Sequence, residues 1–195
     1  MERILVDFDN PSVWYLIEDR LFKHGIGRGM YRSYADQLDL QGDENVLEVG
    51  SGTGALSKYI ARRLLAGGGT LTCVDTSAAL LDIARRRLGS LPHVEFRATE
   101  VADPSVADNA YDAAVIHFAL HDVPRQERPA LVNALAAKLR DTGTVFIREP
   151  TKAHHGMSGD EIRELMKQAG FHEVSSKEHS ILFRGPVYTG AFRFI

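Results

Sequence analysis

Three glycines separated by single residues follow a short apolar run in the segment VLEVGSGTG, residues 46–54. Glycine reaches positive φ without steric cost and lets the backbone come close to a ligand. The same segment carries a carboxylate, Glu48, just before the first glycine. A carboxylate at that point repels a phosphate and attracts a cation. The segment therefore predicts a ligand site, and Glu48 bears on which ligand it takes.

A dinucleotide is one candidate ligand for this segment. Gly50, Gly52 and Ala55 satisfy the dinucleotide-binding spacing, and Asp75 follows about 20 residues after Gly54, at the end of the next predicted strand. Glu48 opposes a pyrophosphate, because at about 5 Å and an effective dielectric near 20 the repulsion is roughly 3 kcal/mol per charge pair. The chain also contains no Tyr-x-x-x-Lys pair and no P-loop motif. A cationic ligand reverses the sign of the Glu48 interaction.

The elements that must position these residues alternate along the chain from residue 43. Apolar runs predict strands at 45–49, 70–75, 93–97, 112–118 and 144–148, and amphipathic spacing predicts helices at about 54–66, 77–88, 125–140 and 158–169. Strands separated by helices favour parallel pairing with right-handed crossovers. After Gly170, two strand-like runs joined by Arg184-Gly185-Pro186 predict an antiparallel hairpin. The expected fold class is therefore an open α/β sheet.

Residues 1–42 lie outside this alternation and are interpreted as a helical cap or lid on a domain at 43–195. Asn10-Pro11-Ser12 is typical of a helix start, and Val13, Trp14, Ile17 and Leu21 then mark one helical face. HGIGRG is expected to break this helix and act as a hinge, with a second helix at about 29–39. Tyr31 and Tyr34 on that helix either close over the ligand or belong to the core.

Composition limits the function class. The net charge of −3 offers no general attraction to nucleic acid, and no apolar run approaches the length of a membrane span. The N-terminal residues do not resemble a secretory signal. Cys73, the only cysteine, lies in an apolar strand and is expected to be a buried reduced thiol, which favours a cytoplasmic protein. The arginine clusters at 62–63 and 85–87 are interpreted as solvated helix faces.

Histidines after the predicted strands 4 and 5 are candidates for chemistry. His117 and His121 are four residues apart, but the segment begins as a strand and no third ligand is evident, so no metal site is predicted. His121 beside Asp122 could remove a proton from a substrate, or it could be a helix-capping or surface residue. His154 and His155 either line the same pocket or lie in a polar loop.

The ordered series of segments carries a resemblance to a known family. VLEVGSGTG, TCVDTS, VEFRATEVADP, YDAAVIHFALHDVP, LRDTGTVFIREP and ELMKQAGFHEV resemble, in order and spacing, the class I S-adenosylmethionine-dependent methyltransferases, especially the small-molecule type that includes quinone-biosynthesis enzymes. The resemblance implies a Rossmann-like, mostly parallel seven-stranded sheet in the order 3-2-1-4-5-7-6 with an antiparallel C-terminal strand. It also implies S-adenosylmethionine as the cofactor and a small-molecule acceptor. The Asn/Asp-Pro-Pro-Tyr/Phe element that resembles base-amino methyltransferases is replaced here by HFAL.

The same resemblance implies roles for individual residues. Glu48 would serve the cofactor amino group, Asp75 the ribose hydroxyls, and the carbonyl of His117 the amino group again. The set implied as cofactor-binding is Glu48, Gly50, Ser51, Gly52, Asp75, Thr76, Thr99, Glu100, Val101 and His117. Tyr31 and Tyr34 join it as candidates from the lid, and the position of His121 after strand 4 makes it the candidate catalytic base. The expected reaction is in-line methyl transfer to an O, N, C or S atom; the alternatives are a noncatalytic cofactor-binding partner protein and, more distantly, an NAD-dependent oxidoreductase.

Overall fold

A computed structural model describes residues 11–12, 16–17, 19–89, 91–152, 156–182 and 184–195, with the backbone alone for 22–24 and 26. The helices are a π-helical segment at Asp19–Ile26, α1 at Arg28–Gln37, α2 at Ser57–Leu64, α3 at Ala78–Leu88, a 3-10 turn at Leu120–Asp122, α4 at Arg128–Lys138 and α5 at Gly159–Gln168. The strands are β1 at Asn45–Val49, β2 at Thr70–Asp75, β3 at Val94–Ala98, β4 at Tyr111–His117, β5 at Leu139–Pro150, β6 at Phe171–Ile181 and β7 at Gly185–Phe194.

The seven strands form one sheet in the order β3-β2-β1-β4-β5-β7-β6. The first five strands pair in parallel, because a helix or a long loop carries the chain back between them. β7 is antiparallel to both β5 and β6, since only a tight turn separates β6 from β7. The expected fold class, strand order and C-terminal hairpin are all confirmed.

Several helices are shorter than the periodicity predicts. The helix expected at 54–66 begins only at Ser57, because Gly54 is held at a φ of +78° in the preceding turn. The helix expected at 125–140 ends at Lys138, and β5 begins immediately after it, with a register irregularity against β4. Serine caps fix two other starts: the Ser77 and Ser158 hydroxyls accept the backbone N–H groups of Leu80 and Glu161.

Alternation along the strands divides the core between the two faces of the sheet. On β1, Leu47 and Val49 belong to one buried cluster, whereas Val46 belongs to the other together with the buried Cys73. Glu48 therefore points to the face of Val46 and Cys73. The buried, unpaired thiol of Cys73 is as expected. None of the helices in the described ranges is both long and apolar enough to cross a bilayer.

The helix break expected in the HGIGRG motif is confirmed. The π-helical segment ends at Ile26, and α1 begins at Arg28 after a turn at Gly27, one residue before the expected start at about 29. α1 packs into the second core cluster through Tyr31, Tyr34 and Ala35. Val13 and Trp14, predicted on the first helical face, lie outside the described residues. The boundary at residue 42 and the lid role stay predictions.

Candidate functional site

The glycine loop lies directly against the loop that follows β4. Gly50, Gly52 and Gly54 have φ values of +71°, +53° and +78°, a region that side chains other than glycine rarely adopt. A Cβ at Gly50 would collide with the Cβ of Ala119, so this glycine is needed for close packing between the two loops. A Cβ at Gly52 would meet no other atom, which leaves open space on that side of the loop. A Cβ at Gly54 would collide with Leu88, so two of the three glycines pack on protein and only Gly52 faces open space.

Asp75, at the end of β2, holds this loop in place. One carboxylate oxygen accepts the Gly52 N–H at 2.8 Å, and the other accepts the Ser77 N–H at 2.9 Å. The side chain therefore joins the glycine loop to the start of α3. The resemblance assigns the ribose hydroxyls to the same carboxylate, which can accept more than two hydrogen bonds. The contacts to the loop and to Ser77 are observed, and the ribose role stays a prediction.

Glu48 is a buried carboxylate beside the same loop. It is 3% exposed, and none of the described residues forms an ion pair with it. The Cys73 thiol makes a weak contact with it, 3.8 Å from Oε2, and the Ser57 hydroxyl acts to lower its pKa. Burial raises the pKa of Glu48 to about 7, and the nearby Asp75 carboxylate adds to the increase. This arrangement suits a cationic group, because a buried carboxylate without a protein cation is costly when ionised.

The other residues expected at the cofactor lie around this loop at different depths. Ser51 is buried, and its hydroxyl has no hydrogen-bond partner among the described residues. The Thr99 N–H donates to the Asp75 carbonyl, which places the turn after β3 beside the end of β2. Val101 is buried in the first core cluster, whereas Thr76 and Glu100 are exposed. Val101 can therefore offer an apolar surface, and Glu100 and Thr76 can contact a ligand only from the solvent side.

His117 ends β4 inside an aromatic cluster. Its ring centroid lies 5.2 Å from that of Tyr31, 4.9 Å from that of Tyr34 and 4.2 Å from that of Phe118. Tyr31 and Tyr34 are themselves 4% and 1% exposed. Of the two readings left open for these tyrosines, core packing describes what the structure shows. Phe118 has a φ of +56°, so the chain turns sharply where it leaves β4.

Arg148 is a functional candidate that the sequence reasoning missed. It is the parallel neighbour of His117 and is 2% exposed. Its guanidinium lies 3.7 Å from the centroid of the Tyr34 ring. It donates to the Thr189 hydroxyl at 3.0 Å and to the side-chain amide oxygen of Gln37 at 3.3 Å. Burial lowers the pKa of Arg148, and no carboxylate among the described residues pairs with it. Arg148 therefore fastens α1 to the sheet.

His121 lies between two carboxylates, and Glu149 is closer to its ring than the neighbouring Asp122. Its Nδ1 lies 2.6 Å from Oε2 of Glu149, whereas its Nε2 lies 3.4 Å from Oδ1 of Asp122. The other Glu149 oxygen accepts the N–H groups of Ala119 and Leu120 at 3.0 and 2.8 Å. Glu149 is fully buried. The sequence reasoning missed it, although an acid at the end of β5 was a usable signal, because β4 and β5 are adjacent and end at the same edge.

Opposing effects act on the protonation of His121. Burial lowers the pKa of its imidazole, but the hydrogen bond and the charge of Glu149, helped by Asp122, outweigh burial and raise the pKa above its usual value. Arg128 acts in the lowering direction, and its guanidinium also donates to the His121 carbonyl at 2.9 Å. His154 and His155, expected along this edge, lie outside the described residues.

The N-terminal helical segment reaches the glycine loop through a buried carboxylate. Asp19, whose side chain is 0% exposed, accepts the Thr53 hydroxyl at 2.8 Å and pairs with Arg87 at 2.7 Å. Thr53 lies between Gly52 and Gly54. Arg87 was predicted to lie on a solvated helix face, and this prediction was wrong. It took no account of the N-terminal segment that packs over α3. Arg85 and Arg86 are exposed, as expected.

Comparison with known proteins identifies the sequence family. The family described as "Methyltransferase domain" matches residues 46–143, half of the chain. The ubiquinone/menaquinone biosynthesis C-methyltransferase UbiE of Hahella chejuensis is 26% identical over 148 residues, which cover 74% of this chain and 58% of that protein. The demethylmenaquinone methyltransferase of Paenarthrobacter aurescens is 29% identical over 122 residues, 63% of this chain and 46% of that protein. The chain therefore spans about half the length of the curated relatives it matches.

Solved structures share the fold. The magnesium protoporphyrin IX methyltransferase of Synechocystis, with bound SAM, has a TM-score of 0.69 and 18% identity over 95% of this chain and 87% of that one. The 1,6-didemethyltoxoflavin-N1-methyltransferase of Burkholderia thailandensis has a TM-score of 0.70 and 19% identity over 92% of this chain and 83% of that one. The [4+2]-cyclase SpnF has a TM-score of 0.70 and 17% identity, covering 86% of this chain and 81% of SpnF. At these identities the likeness shows the fold alone, and it is the family match over the glycine loop and the strands around it that places this chain in the methyltransferase domain family.

Proposed function

We propose that this chain is an S-adenosylmethionine-dependent methyltransferase that acts on a small-molecule acceptor. The observation that carries the proposal is the buried Glu48 carboxylate beside a glycine loop that Asp75 holds by its backbone. Such a site disfavours a pyrophosphate and favours a ligand with cationic groups. The family match supports the same cofactor.

The donor set fits the proposed cofactor. Glu48 would face its ammonium group, and the Asp75 carboxylate would accept from the ribose hydroxyls. The open space at Gly52 and the buried Ser51 hydroxyl lie where the methionine part would pass. Val101 would lie against the adenine with Thr99 and Glu100 beside it, and Thr76 would approach from the solvent side.

His117, Tyr31 and Tyr34 have a different part in the proposal. Their rings form a buried wall at the end of β4, and the His117 carbonyl would accept from the cofactor ammonium. The wall keeps water from that end of the site. Exclusion of water and alignment of the reactants supply much of the acceleration in such a reaction.

When bound, S-adenosylmethionine supplies an electrophilic methyl group on a positively charged sulfur. The chain must then bring a nucleophilic atom into line with that methyl group. His121 lies two residues beyond Ala119, which touches the glycine loop, so it is close to the cofactor site by chain connectivity. We assign to His121 the removal of a proton from the acceptor.

The acceptor is proposed to be a small molecule of the kind that the named relatives use in ubiquinone and menaquinone biosynthesis. The chain covers 58% of the first of these proteins, so its acceptor pocket need not be the same. We further propose a cytoplasmic location and no nucleic-acid substrate; the buried reduced thiol of Cys73 and the net charge of −3 support these assignments.

A different class of function has one observation in its favour. The fold neighbour SpnF is described as a [4+2]-cyclase, so this fold also occurs in a protein whose name states another reaction. The fold therefore does not by itself specify methyl transfer, and the second candidate is a noncatalytic cofactor-binding protein. An NAD-dependent oxidoreductase is disfavoured by Glu48.

The test separates binding from catalysis. Calorimetry should detect S-adenosylmethionine and S-adenosylhomocysteine but not NAD, and tighter binding of NAD would overturn the cofactor assignment. A metabolite extract incubated with the protein and methyl-labelled cofactor should then yield a labelled product by mass spectrometry. Asp75→Ala, which removes the support of the loop, is the negative control. Cofactor binding without any labelled product would favour the noncatalytic alternative.

A further inference from the structure

Glu149 divides its two carboxylate oxygens between two tasks. Oε1 accepts the backbone N–H groups of Ala119 and Leu120, which shapes the loop after β4. Oε2 takes no backbone group and instead lies 2.6 Å from Nδ1 of His121. A residue that only shaped the loop would need Oε1 alone. The second oxygen, Oε2, therefore acts on the His121 imidazole and not on the loop backbone.

Glu149 and His121 lie on the side of the sheet opposite Arg148. Arg148 and Glu149 are consecutive in β5, so their side chains point to opposite faces. Arg148 donates a hydrogen bond to Gln37 of α1, whereas Glu149 contacts His121 in the loop after β4. A buried carboxylate next to Nδ1 keeps a proton on that nitrogen and fixes the ring orientation. The other nitrogen, Nε2, then carries the lone pair of the neutral ring.

Within the described part of the chain, three charged side chains act on His121. Glu149 from β5 and Asp122 from the loop itself favour the imidazolium, and Arg128 from α4 opposes it. Glu149 faces Nδ1, whereas Oδ1 of Asp122 lies 3.4 Å from Nε2. Arg128 is paired with Glu161 of α5 at 2.8 Å, which reduces its effect. Asp122 is half exposed, so solvent screens its charge more than that of Glu149.

We propose that Glu149 is a positioning residue that holds His121 with its proton on Nδ1, so that Nε2 receives the proton of an acceptor whose methylated atom carries an acidic hydrogen. The inference rests on the proposed methyltransferase function and narrows its substrate class. Suitable acceptors are phenolic or enolic hydroxyl groups and activated carbon acids. Thioethers and tertiary amines, which have no proton to lose, are excluded.

The step is balanced in atoms and charge. The acceptor atom forms a bond to the methyl carbon, and the bond between that carbon and sulfur breaks with its electron pair remaining on sulfur. The proton of the acceptor passes to Nε2. The positive charge that leaves sulfur thus reappears on the imidazolium, where the buried Glu149 carboxylate stabilises it.

The first test needs no acceptor. Nitrogen NMR of the histidine-labelled full-length protein should show His121 with its proton on Nδ1 in the neutral form and a titration midpoint above 6.5. In Glu149→Gln, the amide oxygen can keep the backbone N–H groups while the amide NH₂ faces Nδ1, which should move the proton to Nε2 and lower the midpoint. Asp122→Asn is the matched control, because it removes one negative charge at a half-exposed position and should leave the tautomer unchanged. A wild-type His121 that is protonated on Nε2, or that titrates below 6.5, would overturn the proposal even if no variant folds.

The second test uses the acceptor found with the labelled extract. The methyl-transfer rate at saturating cofactor should rise with pH through the His121 midpoint, and both Glu149→Gln and His121→Gln should lower it about a hundredfold. Cofactor affinity measured by calorimetry should stay within about twofold. A flat pH profile with undiminished rates in both variants would refute the proton role while leaving the methyltransferase function intact. Loss of cofactor binding in the wild type would instead refute the proposed function.

Discussion

Replacing Glu48 by glutamine should make the protein more stable at alkaline pH. Burial raises the pKa of Glu48 from 4.5 to about 7. Since each tenfold change in an equilibrium constant is worth about 1.4 kcal/mol, the folded state carries a cost of about 3 kcal/mol when this group is ionised. Glutamine has nearly the same shape and no charge, so Glu48→Gln removes that cost.

The sign of the pH dependence follows from the direction of the shift. Below pH 4.5 the folded and unfolded chains both hold the proton, and the favourable contribution of neutral Glu48 is fully present. Between pH 4.5 and about 7 the unfolded chain has released the proton while the folded protein retains it, so the free energy of unfolding decreases as pH rises. Above about pH 8 the contribution is lost. The variant should therefore exceed the wild type by less than about 1 kcal/mol at pH 5 and by about 3 kcal/mol at pH 8.

Urea denaturation of both proteins at the two pH values measures this difference directly. The exposed Glu164→Gln is the matched control, and it should change stability by less than about 0.5 kcal/mol at either pH. Cofactor binding supplies an independent readout, since an ammonium beside Glu48 favours the ionised form. Calorimetry at pH 6 in buffers of different ionisation enthalpy should show release of most of one proton in the wild type and none in Glu48→Gln. If the stability difference between wild type and variant is the same at pH 5 and pH 8, the reasoning about Glu48 is refuted.

Three further substitutions test the remaining contacts. Asp75→Asn should weaken cofactor binding by about 2 to 4 kcal/mol in calorimetry, because it removes a charged acceptor; unchanged affinity would make Asp75 only a support of the loop. Arg87→Met should lower the free energy of unfolding by about 3 to 5 kcal/mol, because it removes the cation that pairs with the buried Asp19 carboxylate. In urea denaturation, the double variant with Asp19→Asn should regain most of this loss. If the single and double variants are equally stable, the pair contributes nothing. Arg148→Lys should cost about 1 to 3 kcal/mol and speed amide exchange in α1, because lysine cannot stack flat on Tyr34 while bonding two oxygens; wild-type protection of α1 would contradict this.

Local sequence patterns were enough to predict the parallel strands of the sheet and the glycine loop. Strand β1 and the glycines after it are read from neighbouring residues, because apolar alternation and glycine spacing act within a few residues. The strand order and the antiparallel β7 came from the resemblance of the ordered motifs, and the structure agrees with both. The helix ends were less accurate: the positive φ of Gly54 delays α2 to Ser57, and periodicity alone does not register such a turn.

The partners of the charged residues depended on distant parts of the chain. The sequence pointed to His121 and its neighbour Asp122, which lies 3.4 Å from the ring. The closer carboxylate nevertheless belongs to Glu149, 28 residues away. Arg87 belongs to an arginine cluster that is typical of a helix surface, yet it pairs with Asp19, 68 residues away along the chain.

What the sequence by itself determined is therefore the fold class, the glycine loop and the carboxylates that flank it, since these follow from short-range patterns and their order along the chain. What only the tertiary structure decided is which charges are buried and which are paired. Three examples arise where separate strands and helices meet. They are the burial that raises the pKa of Glu48, the contact of the Arg148 guanidinium with the Tyr34 ring, and the short contact between Glu149 and His121. Desolvation and hydrogen bonding act across a few ångströms of space, whatever the separation of the residues in sequence.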